Sequence, residues 1–439
     1  MFDSLTLRFA ASVCLKLCIL ATILGLFPAI GWSQEYTITN LGTLGGTSSY
    51  ANFVNDNGQV VGTANITGDT HGDAFLYAKG VMTDLAPGES TFGSTAVAIN
   101  DQGHIVLNLY LDGNGDSESY LWNGINLMDL GAGGATSMNS SDMVVGYTLS
   151  LSYWVYANGQ LDSSPGYQLP SPGVMAVATS VNDAGEIAGG CWDATPYDYG
   201  WGCVFGPNGA HNLQNLAGGQ FPTPVINSSG TTCSYDINSN FSIWSNNGTQ
   251  TVAIPFGYGA ACAGLDDFGV AVGSYYFSNS ENEKDAVVYD RLHGLRNLNK
   301  LIPQLSIKGH SLRIASAVAI SDTGFIAANC VYSVLHGSSE THACLLTPNP
   351  VKILKDNILQ LAKGDPDCIQ CRTELDPLAE DLPDSLVGLS TAKQTKVSGI
   401  VNAIANDLLK LFNAKRINQD TETLLQHDCL RVQEALNRD

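Results

Sequence analysis

Seven times along the chain a polar turn centred on Asn-Asp-x-Gly, or a close variant, is followed by a short apolar run. It first occurs as Val54-Asn55-Asp56-Asn57-Gly58-Gln59-Val60-Val61-Gly62 and returns around Gly103, Asp142, Gly185, Gly230, Gly269 and Gly324. Successive turns lie 45, 39, 43, 45, 39 and 55 residues apart, which is the length of one four-stranded propeller blade. A unit this short cannot bury its own apolar face, so neighbouring copies must stack, and an array of β units that stacks can close into a ring.

Each copy reads as four strands. In the first, Tyr50 to Val54, Gln59 to Ala64, Asp73 to Tyr77 and Val81 to Leu85 alternate with turn residues. The third and fourth strands are joined by Asn123-Gly124, Asn158-Gly159, Asn208-Gly209 and Asn247-Gly248, with Lys79-Gly80 and His293-Gly294 as variants. Asn and Gly tolerate the positive φ of a type I′ hairpin turn. A fourth strand is missing from the last copy, because Leu346 runs into Thr347-Pro348-Asn349-Pro350. The missing strand is at the other end of the chain. Tyr36-Thr37-Ile38-Thr39-Asn40-Leu41-Gly42 has the form of the segments ending Met128-Asp129-Leu130-Gly131 and Gln214-Asn215-Leu216-Ala217. The expected fold is therefore all-β: a seven-bladed β-propeller over residues 34–350, closed by its N-terminal strand, which removes exposed sheet edges.

The sequence at this point resembles a family. Leu41-Gly42-Thr43-Leu44-Gly45-Gly46, the Asn-Asp-x-Gly cassettes, Asn297-Leu298-Asn299-Lys300-Leu301-Ile302-Pro303 and Thr341-His342-Ala343-Cys344-Leu345-Leu346-Thr347-Pro348 are similar to the HAF-repeat family of bacterial extracellular repeat proteins. The resemblance covers residues 36–348. The His-Ala-Phe triplet that names the family is degraded here, to His71-Gly72-Asp73-Ala74-Phe75 and His342-Ala343-Cys344. The resemblance implies an exported repeat protein and transfers no catalytic residue.

Residues 1–33 read as a signal peptide: Arg8 precedes an apolar stretch through Phe27, and Gly31 and Ser33 offer a cleavage site near Gln34. An uncleaved anchor is the alternative. Lys16 beside Cys18 argues against a lipobox, and no later segment reaches the roughly 18 apolar residues needed to span a bilayer.

Of 11 cysteines, nine follow Cys14 and Cys18, a usage that fits an oxidising compartment. Cys191 and Cys203 occupy the second and third strands of the fourth copy, and Cys330 and Cys344 the same strands of the seventh, so both pairs are expected to bridge. Cys233 and Cys262 are placed to join the fifth copy to the sixth. Residues 351–439 change character, with apolar residues at helical spacing from Val397 to Phe412 and from Leu425 to Leu436. They read as a small helical appendage whose first long helix starts with a Thr391/Gln394 capping box. Cys368-Ile369-Gln370-Cys371 lacks the βαβ surroundings of a redox motif, and a structural bridge from Cys371 to Cys429 is the expectation.

Residues 34–350 hold 7 Lys plus Arg against 26 Asp plus Glu, a formal −19, and Lys79 is the only Lys or Arg between Gln34 and Glu283. Nucleic acid is excluded as a ligand, since phosphate neutralisation needs clustered cations. In Asp112-Gly113-Asn114-Gly115-Asp116-Ser117-Glu118, oxygen ligands at Asp112, Asn114, Asp116 and Glu118 alternate with glycines, as in the first half of an EF-hand loop, although the terminal bidentate Glu is absent. The loop has two readings, a calcium site or an ordinary polar hairpin loop; no other cofactor is expected. The chain has no Gly-x-Ser-x-Gly, His-Glu-x-x-His or Gly-x-x-x-x-Gly-Lys motif. Trp192, Tyr197, Tyr199 and Trp201, in a loop between the two strands of the Cys191/Cys203 pair, are the candidate ligand-binding residues. The expected function is a non-catalytic binding or cell-surface scaffold module for an extracellular protein or glycan. The alternative is a carbohydrate-active enzyme with carboxylates at the channel mouth.

Overall fold

The computed structural model describes residues 34–439 apart from 87, 89–90, 113–115, 149, 151, 163–165, 171–173, 193–199, 214–222, 236–239, 246–247, 253–258, 278–283, 303–305, 308–309, 334–338, 365–368 and 439. The expected leader lies outside the described residues.

Seven antiparallel sheets form a propeller, with blades over residues 45–84, 94–132, 134–162, 175–212, 225–252 and 259–297, and a seventh built from 306–348 together with Tyr36–Asn40. Ring closure takes the expected form. Tyr36–Asn40 pairs antiparallel with Glu340–Pro348 in the register Ile38↔Leu346, Thr39↔Leu345 and Asn40↔Cys344. The Leu41 N–H then donates to the Ala343 carbonyl at 3.0 Å.

The middle strands explain the continuous apolar runs of the cassettes. Val60, Val61, Val144, Ile187, Ala188 and Val272 are fully buried, because each blade is packed on both faces and adjacent residues both meet core. The glycine that ends the Val-Val-Gly run is a close-approach position. A Cβ on Gly62 would lie 2.0 Å from the Tyr50 carbonyl oxygen, and one on Gly273 1.9 Å from that of Ala261. In both blades the first strand shifts register beside this position, which brings its carbonyl inward.

All seven cassette turns have positive φ at the expected residue, from 61° at Asp142 to 87° at Gly324. The hairpin turns are less uniform than the sequence suggests. Lys79-Gly80 and Asn158-Gly159 have both residues at positive φ, as type I′ requires. At Asn123-Gly124 only the glycine does, because the Asn123 side chain accepts from the N–H groups of Ile125 and Asn126 and widens the turn.

The C-terminal region contains α1 (Pro350–Gly364), α2 (Ile369–Glu374), α3 (Asp376–Glu380), α4 (Thr391–Asn413) and α5 (Gln419–Arg438). Val397, Ile400, Val401, Ile404, Leu408 and Leu411 of α4 are buried against Leu425, Cys429 and Val432 of α5, as their spacing predicts. The appendage also belongs to the propeller core, since Ile353 and Leu424 pack among blade-seven residues Ile326, Leu346 and Tyr332. The expected capping box is not formed. Ser390 is the N-cap of α4, without a side-chain cap bond, and its carbonyl takes the Lys393 and Gln394 N–H groups.

Two disulfides match expectation: Cys191–Cys203 within blade four and Cys233–Cys262 between blades five and six. Two expected bridges are absent. Cys330 and Cys344 are buried free thiols, although their diagonal register on neighbouring strands matches that of the bonded pair. Here the Cys344 sulfur hydrogen-bonds the Tyr332 hydroxyl at 3.6 Å. Cys371 is disulfide-bonded to a partner outside the described residues, and Cys429 is a buried free thiol. The expected Cys371–Cys429 bridge is therefore not made, because the Cys371 sulfur is already engaged.

Candidate binding site

The two ends of the ring differ in chemistry. At the end formed by the cassette turns, the first residue of each turn folds its own loop and most also hold the next blade. Asn55 Oδ1 accepts from the Asn57 and Gln59 N–H groups, and Asn55 Nδ2 donates to the Asn100 carbonyl. Asn139 donates to the Asn182 carbonyl, Asn182 to that of Asn227, and Asn227 to that of Asp266. The Asp that follows adds a second belt. Asp56, Asp101, Asp183, Asp267 and Asp322 each accept a backbone N–H from an adjoining blade, at 2.7–2.9 Å. These five carboxylates surround a depression of about 180 Å³. Burial and the neighbouring carboxylates Asp267, Asp266 and Asp56 push Asp322 up to about 7, and burial raises Asp101.

Blade six departs from the pattern because Asp266 replaces the Asn and has no hydrogen to donate. Asp266 Oδ1 still accepts from Phe268 and Val270. Its other oxygen meets Arg431 of α5, whose Nη2 lies 3.1 Å away. Arg431 Nε and Nη2 also donate to the Asp322 carbonyl of blade seven, at 2.9 and 2.6 Å. A residue of the helical region thus makes the link that an Asn side chain makes elsewhere. His427 stacks on Phe268 with ring centroids 3.1 Å apart. Burial, with Arg431 nearby, lowers its pKa to about 2, so the ring docks neutral. The N-terminal strand is tied in by the same means: Arg296 bridges Glu35 (2.7 Å) and Asp290 (2.9 Å), and His342 Nδ1 meets the Asn40 side chain at 3.0 Å.

At the opposite end, a cleft of about 720 Å³ opens between blades two and three. Tyr110, Leu111 and Asp116 line it from blade two, and Tyr147, Thr148 and Ser150 from blade three. Leu111 is 51 % and Tyr147 37 % exposed. Beneath them the buried Asn108 is held through both its amide nitrogen and its amide oxygen. Its Nδ2 donates to the Ala135 carbonyl, and its Oδ1 accepts from the Ala135 N–H and the Ser119 hydroxyl.

The residues singled out from sequence are divided by this geometry. Trp192 is buried, and Gly200 stands over its indole, where a Cβ would lie 2.5 Å from Nε1. Trp201 is half-buried and donates to Asn212 Oδ1 at 2.7 Å. Tyr197 and Tyr199 lie outside the described residues, as does Asn114. Asp112 Oδ1 accepts the Asp116 N–H, and Glu118 Oε2 accepts from the Tyr120 hydroxyl. Asp116 itself faces the cleft. Sequence reasoning missed Tyr110, Tyr147, Thr148 and Ser150, because nothing in the spacing shows that Tyr110 and Tyr147, 37 residues apart, face one another across a blade junction.

No protein-family model matches this sequence, and no curated protein matches it. Among solved structures it is similar to the β-propeller domain of the Trilobed protease from Pyrococcus furiosus, at 9% identity over 66% of this chain and 94% of that one, TM-score 0.39. It is also similar to a xyloglucanase from Xanthomonas campestris, at 12% identity over 70% of this chain and 55% of that one, TM-score 0.38. A lectin in complex with alpha methyl fucoside matches at 11% identity over 69% of this chain and 96% of that one, TM-score 0.29. None of these three reaches a TM-score of 0.5, and nothing about this chain's ligand follows from them.

Proposed function

We propose that the chain is an exported, non-catalytic binding or cell-surface scaffold module of the HAF-repeat kind, engaging a protein or glycan with the end of the ring opposite the cassette turns. The observation that carries this reading is the contrast between the two ends. The turn end spends five of its carboxylates on backbone N–H groups of adjoining blades and is joined at blades six and seven by α5, which supports a structural use. The other end offers an open cleft with exposed apolar and hydroxyl groups, the mixture typical of ligand sites. Two disulfides support passage through an oxidising compartment. Among the described residues, no helix is long and apolar enough to cross a membrane.

A glycan and extracellular-protein array, run beside a hydrolysis screen, tests the reading. Saturable binding without turnover is expected. Release of product from any bound glycan would overturn it in favour of a carbohydrate-active enzyme.

A further inference from the structure

We infer that the cleft between blades two and three is a subsite for a neutral oligosaccharide. The inference rests on the binding-module reading above and adds a place and a ligand class to it.

Three observations narrow the ligand. First, although Gly134 to Met138 is the edge strand of its sheet, backbone groups beside the cleft are already engaged. Gly134 to Met138 is laddered to Val144 to Tyr147 on one side, the Gly133 N–H donates to the Ser117 carbonyl, and the Ala135 N–H and carbonyl are held by the Asn108 amide on the other. An extended peptide reads a sheet through unpaired backbone groups, and with those of Ala135 and the Gly133 N–H taken, side chains must do the reading here. Second, the described lining contains no Lys, Arg or His; Asp116, an exposed carboxylate, is its charged member. An anionic ligand would face that charge with no counter-ion, a juxtaposition that opposes binding. Among the described lining residues a cation would find a single carboxylate, where tight recognition needs several oxygen ligands or an aromatic cage. Third, the groups that remain suit a pyranose. The exposed ring of Tyr147 and the exposed Leu111 present apolar surface for the C–H face of a sugar. Thr148 and Ser150, their hydroxyls 2.8 Å apart, keep acceptor lone pairs for sugar hydroxyls, and Asp116 accepts from hydroxyl donors. At about 720 Å³ the cleft lies within the roughly 300–1,000 Å³ of small-ligand sites.

The test is calorimetric titration of the full chain with cellohexaose, mannohexaose and xylohexaose, beside an oligogalacturonate as the anionic arm and a chitosan hexamer as the cationic arm. At least one neutral hexasaccharide is expected to bind saturably. Tyr147→Ala and Asp116→Asn should each weaken it at least tenfold with an unchanged melting temperature, while Ile125→Ala, at an exposed turn outside the cleft, leaves it unaltered. Affinity that survives both cleft substitutions would overturn the location but leave the binding reading intact. Preference for the charged oligomers would overturn the ligand class, and silence from all three neutral probes would overturn the inference, with the array deciding the wider reading independently.

Discussion

Arg431 Nη2 sits 3.1 Å from Asp266 Oδ2 and 2.6 Å from the Asp322 carbonyl oxygen, so a residue near the C-terminus joins the sixth blade to the seventh. Its side chain is 6% exposed and that of Asp266 is fully buried. Removing one partner of such a pair leaves an uncompensated charge in the interior and costs about 3–5 kcal/mol. Arg431→Met should lower the denaturant midpoint accordingly. Adding Asp266→Asn should recover part of the loss, because the neutral amide that serves four other blades can again donate. A double variant no more stable than Arg431→Met would contradict this account of the junction.

Closure by the N-terminal strand is open to a single substitution. Leu41 N–H donates to Ala343 and Asn349 N–H to the Glu35 carbonyl, and the two-residue period of an antiparallel ladder makes Thr39 N–H the donor to Leu345. Thr39 is exposed, so Thr39→Pro removes the bond without disturbing the core and should cost about 1–3 kcal/mol. Thr37→Ala on the same strand should stay within about 0.5 kcal/mol. Equal melting temperatures for the two variants would show that the strand does not close the ring.

The helical junction has a pH signature. Burial pushes Asp428 up to about 6 from 3.8, with Arg431 and Asn357 opposing the shift, and Asp266 likewise. A native state that holds a proton longer than the unfolded chain loses stability as pH rises from the unfolded value through the folded one. His427, depressed to about 2 from 6.5, acts in the opposite sense below pH 6.5, so the wild-type curve alone is partly levelled. The comparison with Asp428→Asn isolates the carboxyl: the wild type's advantage in melting temperature should shrink between pH 4 and pH 7. An advantage that grows over that interval would refute the assignment.

Much of the fold was legible because its constraints are local. Asp142 stands where six other turns have glycine, and it still adopts positive φ, at 61°, with its carboxylate held by Asn100 and His104. The closing strand could be inferred from a missing element, since an unpaired edge in blade seven is unfavourable wherever the absent strand lies in sequence. Contacts that depend on three-dimensional approach were not legible. Cys330 and Cys344 repeat the register of a bonded pair and yet remain thiols, because strand position does not settle where two sulfurs point. The contact between Asp266 and Arg431 spans 165 residues. Its one trace in sequence is an Asp at a position where five of the other six cassettes carry Asn. Of the cleft the sequence marked Asp116 and not its other lining residues, because the rims come from different blades.

Each disulfide should contribute through the unfolded chain. Cys191–Cys203 closes a separation of 12 residues and Cys233–Cys262 one of 29. Replacing either pair by serines should cost about 2–4 kcal/mol, read from denaturant midpoints, whereas Cys429→Ser should not alter the response to reductant.

The division of labour between the two ends of the ring is tested most directly by hydrogen exchange, with and without whichever ligand the array identifies. Protection gained on binding should fall on Tyr110, Leu111, Asp116, Tyr147, Thr148 and Ser150, leaving the cassette turns at Asn55, Asn100 and Asn182 unchanged. Protection confined to those turns would place the ligand on the carboxylate belt and contradict the account.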